Sequence, residues 1–433
     1  MTLTLHMPIT FRRNSISVLI SPLILPLMLS LAGSAAGQST IPVRTIGPIL
    51  ATSTENVGQA VTVRGTSDGH VIVGAGARQR VYAFDSTLKS FTLVADSGAG
   101  TGVLPVRTTG VIPYLADSTL LPDFGANALL VLDGTGKQVR SMAPPRAQDL
   151  IFLGLPAAFG RPGFDAKGRL IYRTILPPAL RPTPTPSGSQ EVKLTPVNAD
   201  SAPIVRGDFD TRRIDTLAWM KTPSQGRVGM EMKENPAGGA PSITMHMKMN
   251  PFNMADEWSL LSDGTVAIVR VHDYHIDWVD PDGTKRTSPK MPIDWRRYTD
   301  AERQQRVDSL RRAADEQLKR TVSQQAAAGG PKLSVDLTIV PDSEFPQFWP
   351  PIEPGSVLAD LDAHLWILPT TSTNVTNGFT YDVVNRNGEI IERVQLPKDH
   401  VLVGFGPHGV VYLTKADGKA TYLERALLTG PPK

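Results

Sequence analysis

Residues Trp258–Lys290 read WSLLSDGTVAIVRVHDYHIDWVDPDGTKRTSPK. Two short apolar runs, Trp258–Leu261 and Thr265–Arg270, flank Ser262-Asp263-Gly264, and His275–Asp280 and Thr284–Pro289 repeat the arrangement around Pro281-Asp282-Gly283. Asp-Gly supplies the positive φ that a tight hairpin needs, and the apolar alternation on either side marks strands. Two successive hairpins make a four-stranded antiparallel unit, and the unit recurs about six times along the chain, which is the pattern of propeller blades. The expected fold is therefore all-β, a six-bladed β-propeller of four-stranded antiparallel blades with a helical insertion between blades four and five.

The other copies extend outward from this one. Blade one takes Ala60–Arg64, His70–Gly74, Arg80–Asp85 and Ser90–Ala95, with its first turn at Ser67-Asp68-Gly69. Blade two takes Val111–Leu115, Thr119–Pro122, Ala128–Asp133 and Lys137–Met142. In blade three Asp165–Gly168 is the turn before Arg169–Ile175, and Pro203–Asp208 and Ile214–Met220 follow a Pro/Thr/Ser-rich stretch, 176–202, that reads as an irregular insertion. Blade five takes Val357–Asp360, Leu365–Leu368, Phe379–Asn385 and Glu389–Leu396. Blade six offers only His400–Phe405, Val410–Lys415 and Thr421–Leu428, so Ile41–Ile49 is expected to supply its fourth strand and remove an exposed sheet edge. Tyr298–Gln325 breaks the β pattern as a helix of span 298–325: Thr299-Asp300-Ala301-Glu302 fits a capping box, and Val307, Leu310, Ala314 and Leu318 form one apolar stripe, read as covering the propeller.

Composition bounds the function. Arg12-Arg13, the apolar run Ile16–Ala32 and the small residues Gly33–Gly37 have the layout of a secretory signal, so 1–37 is expected to be removed and 38–433 to form the propeller domain. The apolar run is too short, and too interrupted by Pro22 and Pro26, for a membrane anchor, and an exported, periplasmic or extracellular protein without a membrane span is expected. The formal charge of +3 falls close to neutrality once that segment is gone, and no Lys/Arg tract is interleaved with aromatics, so nucleic acid is not an expected partner. With no cysteine, there is no disulfide framework, thiol nucleophile or thiolate metal site.

In a four-stranded meander, the loops joining strands one to two and three to four share one face. The tight Asp/Gly turns fall there, whereas the long insertions 176–202, 222–256, 293–355 and 369–378 fall on the other face, where recognition is expected. Arg173, Arg270, His272 and Asp273 are the candidate ligand-binding residues, expected at the mouth of the central channel on that face. Arginine there would hold a carboxylate or phosphate, with inter-blade salt bridging as the structural alternative. His272, Asp273 and His275 also raise a metal or acid/base reading, but polar loop residues commonly bond their own turn, so no metal is assigned. Met245-His246-Met247-Lys248-Met249 reads as packing rather than soft-metal binding, and Phe345, Phe348 and Trp349 as packing of the helix. No phosphate cradle or nucleophile elbow is present, and no cofactor is expected.

Trp258–Gly264 with YHIDWVDPDG at 274–283, and Leu365–Pro369 with Tyr381–Gly388, resemble exported bacterial six-bladed β-propeller proteins related to the NHL-repeat group. The resemblance covers most of the chain after the leader, with blades two and three departing from it, and implies a fold and an export route but no catalytic residue. Three functions stay open: a monomeric binding or interaction module for a small molecule or an envelope protein, with no catalysis; a lactonase-like propeller hydrolase with a metal at the central channel; and a structural repeat protein without a specific ligand.

Overall fold

The computed structural model describes residues 41–430 apart from 77–78, 97, 99–102, 107, 176–178, 185–189, 196–199, 223–227, 234–241, 253, 328–331 and 373–376. The expected leader, 1–37, lies outside the described residues, as do the side chains of Met245 and Met247.

Strand β1 (Val43–Thr52) precedes β2 (Ala60–Gly65), β3 (Val71–Ala75), β4 (Arg80–Phe84) and β5 (Phe91–Ala95), which pair in order as an antiparallel sheet. The sheet of β6 (Ile112–Pro113), β7 (Thr119–Asp123), β8 (Ala128–Leu132) and β9 (Gln138–Met142) repeats the arrangement. Two short helices, α1 (Leu150–Gly154) and α2 (Pro156–Phe159), lead to β10 (Gly163–Phe164) and β11 (Leu170–Arg173). An inserted hairpin, β12 (Ala179–Pro184) and β13 (Gln190–Thr195), separates these from β14 (Ser201–Gly207) and β15 (Ile214–Lys221), which complete the third sheet. After β16 (Val228–Lys233) and β17 (Ser242–Met249) comes the meander that decided the fold: β18 (Glu257–Leu260), β19 (Val266–Arg270), β20 (His275–Val279) and β21 (Lys285–Thr287). Helix α3 (Asp300–Ala327) and β22 (Lys332–Ile339) follow, then β23 (Ile352–Ala359), β24 (Leu365–Pro369), β25 (Thr380–Val384) and β26 (Ile390–Gln395), and finally β27 (His400–Gly406), β28 (Val410–Asp417) and β29 (Ala420–Leu428).

The last two meanders are one eight-stranded sheet, because β1 joins them. Val43–Thr45 run parallel to Arg393–Gln395 of β26, and Ile46–Thr52 run antiparallel to β29 with two register shifts. The N-terminal strand thus takes the outer position next to β29, as expected, reaching Thr52 rather than Ile49. Where six separate blades were expected, the described residues form four four-stranded blades and this eight-stranded sheet.

The core is a cycle of sheet-on-sheet contacts. Val73 and Phe84 of the first sheet pack on Val403 and Tyr412 of the last, Ile72 on Leu121 of the second, and Leu120 on Tyr172 of the third. Ile204 packs on Trp258 of the fourth, Tyr274 on Ile367, and Trp366 on Leu413, which returns to the start. Such a ring of face-packed antiparallel sheets is a β-propeller. Trp278 and Trp366 are fully buried within it, each removing enough apolar surface to contribute about 2–3 kcal/mol.

Three insertions meet in an accessory layer. β16 pairs with β17, β17 pairs in parallel with β22 over Ser242–Met249 and Lys332–Ile339, β13 lies beside β16, and α3 packs on β22. The stretch 176–202, expected to be irregular, therefore holds a hairpin: its alternate residues satisfy their backbone groups by pairing with each other. Helix α3 starts at Asp300 with the capping box formed, since Glu302 N donates to Thr299 Oγ1 (3.2 Å) and Thr299 N to Glu302 Oε2 (2.9 Å). Tyr298 stacks on Trp349 (4.7 Å), Phe252 packs on Phe345 (4.6 Å), and Arg296 and Arg306 cover Trp349 at 4.6 and 4.8 Å, so the aromatic run packs the helix. One tight Asp-Gly turn, Asp417-Gly418, joins β28 to β29 and so departs from the expected one-face placement of such turns.

Candidate functional site

The first strand of each meander borders the axis. β2, β6, β10, β18, β23 and β27 together wall a cavity of about 550 Å³. Equivalent backbone bonds close the first hairpins, namely Thr66 N to His70 O, Tyr114 N to Ser118 O, Asp165 N to Arg169 O, Leu261 N to Thr265 O and Asp360 N to His364 O, and these fix matching levels around the ring. The wall reaches Leu115, Ala166, Ser262 and Leu361, exposed residues of the tight turns, so the cavity opens on the short-turn face, opposite the long insertions.

Two arginines line it. Arg64 of β2 is 9% exposed, and its Nη2 crosses to the neighbouring turn, donating to Ala116 O (2.6 Å) and Tyr114 O (3.3 Å). Its Nη1 is buried without a partner among the described residues. Burial pulls the guanidinium pKa down to about 10 against the opposing charge of Asp117, which leaves it cationic at neutral pH. Arg161 stands before β10, and burial likewise lowers it to about 10, with Tyr381 opposing. Its position follows from the turn before it: Trp258 Nε1 donates to Phe159 O (2.9 Å) and lies against Gly160, whose φ of 84° and lack of Cβ admit the indole.

The cavity's carboxylates are committed to turns. Asp165 accepts from Lys167 N and Arg169 N (both 3.0 Å) and pairs with the Arg169 guanidinium at 2.6 Å. Asp360 accepts from Asp362 N and His364 N (both 2.9 Å) and from Trp366 Nε1 (3.0 Å). Phe164, Leu260, Leu358 and Phe405 add apolar surface to the wall.

At the long-loop end of the axis, Glu257 opens β18 and accepts a hydrogen bond from the Gly355 N–H of β23. Burial pushes its carboxyl up to about 7, with Gly355 and Arg173 opposing and Asp256 adding to the rise. Arg173, at the end of β11, donates from Nη1 to Ala158 O (3.2 Å) and lies 5.5 Å over Phe159, and burial lowers its pKa against the pull of Glu257.

Of the four residues expected to bind ligand, Arg173 is thus placed beside Glu257. Arg270 is held by Asp256 and Asp277, both at 2.7 Å, and donates to Trp219 O (3.0 Å), bracing the third sheet to the fourth. His272 and Asp273 are exposed on the β19–β20 turn, where Asp273 pairs with Lys290 at 3.1 Å, and neither lines the axial cavity. Arg64, Arg161 and Glu257 were not singled out from the sequence. Each lies on or just before a first strand, but not at one common offset before its tight turn, so no single spacing marks them in the sequence.

No protein-family model matches the chain, and no curated protein is similar to it. Among solved structures, the chain is similar to a calcium-binding regucalcin from Agrobacterium tumefaciens (12% identity, TM-score 0.38, covering 90% of this chain and 97% of that one). It is also similar to a gluconolactonase from Xanthomonas campestris (11%, 0.38, 89% and 98%) and to virginiamycin B lyase from Staphylococcus aureus (10%, 0.37, 88% and 98%). At such scores the propeller assignment rests on strand pairing and the cyclic core.

Proposed function

We propose that this chain is an exported, six-bladed ligand-binding propeller of the NHL-related kind, counting the eight-stranded sheet as two blades, and that its axial cavity takes a small anionic molecule. One observation carries the reading: two arginines, Arg64 and Arg161, line the cavity. A guanidinium that meets a carboxylate or phosphate makes charge-assisted hydrogen bonds, which favours an anionic occupant. The long-loop face is a second contact surface in this reading, supported by the accessory layer and by Glu257 and Arg173 at that end.

The alternative, a hydrolase with a hard cation at the channel, asks for about six oxygen donors around the ion. The cavity presents two guanidiniums, and its carboxylates are bonded to their own turns, so these residues do not fit a dication. Among the described residues no cluster of His, Asp and Glu could hold one.

The test is calorimetric titration of the purified protein with acetate, inorganic phosphate, benzoate and adipate. At least one should saturate at one site, and Arg64→Met should weaken it about tenfold, as loss of a charge-assisted bond predicts. Failure of all four to bind would refute the reading.

A further inference from the structure

Independently of the axial cavity, we propose a second binding site, for a neutral saccharide, in a cleft of about 580 Å³ between the β18–β21 sheet and the β23–β26 meander. Strand β25 supplies its polar wall. Val384 packs on Tyr274 and Ile276 of the fourth sheet, and because side chains alternate along a strand, Asp382 and Thr380 fall on that same face. The apolar contact between the two sheets therefore gives way to polar groups just before Val384. Pro292 and Ile293, which follow β21, and Pro369 and Ser372, at and after the end of β24, complete the cleft, which lies on the side of the long insertions. Its volume is in the range of small-molecule sites.

Asp382 stands directly opposite Arg393 of β26, whose Nε donates to Asp382 Oδ1 at 2.8 Å, and the aspartate is 5% exposed. That bond leaves Asp382 Oδ2 and Arg393 Nη1 and Nη2 without partners among the described residues. Ser372 Oγ accepts from Thr380 N at 2.6 Å, so its own proton remains to be donated. An acceptor and several donors around a pair of zero net charge suit a ligand whose groups both accept and donate, as hydroxyls do. An anion would meet the carboxylates of Asp382 and Asp294, and a cation would meet the guanidinium. A hard dication asks for about six oxygen donors, and Arg393 already holds the buried carboxylate. Next to the cleft, Trp295 is 41% exposed and lines a shallow pocket that shares Ile293, Asp294 and Thr371 with it. A pyranose carries hydroxyls on its edge and C–H groups on its faces, so one ring bonds the Asp382–Arg393 pair while a linked ring packs on the indole.

The experiment is saturation-transfer NMR with calorimetric titration of the purified protein, using glucose, galactose, N-acetylglucosamine, maltose, cellobiose and chitobiose, with triglycine and triproline as peptide controls. At least one disaccharide should saturate at one site and bind more tightly than its monosaccharide, and excess benzoate or phosphate should not displace it. Arg393→Lys keeps the charge but loses the planar fork, and it should weaken that sugar about tenfold, as should Asp382→Asn. Trp295→Ala should weaken it about threefold or more. Failure of every saccharide to bind would overturn this site and leave anion binding at the axis standing. Displacement by benzoate would move the sugar to the axial cavity, and tighter binding of either tripeptide would give the cleft to peptides; each result overturns the proposal. If the Arg393 and Asp382 variants unfold, Trp295→Ala at its exposed position decides, and unchanged affinity there would also overturn it.

Discussion

Replacing Glu257 by glutamine should make the protein more stable at pH 8 than the unaltered chain while leaving the two alike at pH 4.5. The carboxyl pKa rises from 4.5 to about 7 because burial between β18 and β23 removes water from the charged form, and the Gly355 N–H and Arg173 recover only part of that loss. A folded state that holds a proton more tightly than the unfolded chain is favoured at low pH. Its contribution is complete below 4.5, is lost as pH climbs from 4.5 through about 7, and is level above that. The rise corresponds to about 3 kcal/mol, and the solvent still touching this half-buried group reduces the expected effect to on the order of 1–2 kcal/mol. Chemical denaturation of both proteins between pH 4.5 and 8 measures the difference, in which other titrating groups cancel. A difference that does not change across this interval, or that favours glutamate at pH 8, would refute the assignment of a desolvated carboxyl at the long-loop end of the axis.

Two further predictions concern the seam of the ring. His400 Nε2 meets Glu424 Oε2 at 2.8 Å with both side chains 8% exposed, and Nδ1 donates to Lys398 O at 2.7 Å. His400→Leu should therefore cost about 3–5 kcal/mol in urea unfolding by stranding the carboxylate, and the double variant with Glu424→Leu should recover most of it; equal losses in both would contradict a paired site. On β1, Ile46 is buried among Leu358, Trp366 and Leu413, whereas Leu50 is 54% exposed. Ile46→Ala should then lower the unfolding free energy by about 2–4 kcal/mol and Leu50→Ala by under about 0.5, and comparable effects would mean that β1 does not seat as described.

What could be read in the sequence was local. Asp263-Gly264 and Asp282-Gly283 announce their hairpins because positive φ is written into residue type, and the strands found at 257–260, 266–270, 275–279 and 285–287 lie within a residue or two of the expected bounds. The shortage of a fourth strand in the last meander pointed to β1 because an open edge must be covered. The accessory strands were missed although the signal was present. Ser242–Met249 and Lys332–Ile339 alternate apolar and polar residues throughout, but the first drew attention for its methionines, and the pairing that stabilises them joins residues 90 apart. The site was harder still. Arg64 and Arg161 line one cavity only because the ring brings the first strands together, and no spacing along the chain records that convergence.

The position of β1 also sets an order of events. Its two neighbours are β26 and β29, so the first strand of the described chain has no partner until Gln395 has been synthesised and is fully paired only when β29 follows. During vectorial translation, or threading through a pore, every intermediate meander can collapse locally while the seam waits, with apolar residues such as Ile46 uncovered. The barrier to completing the ring is then dominated by joining the chain's ends, which makes this a slow folder whose aggregation risk lasts until residue 428 arrives.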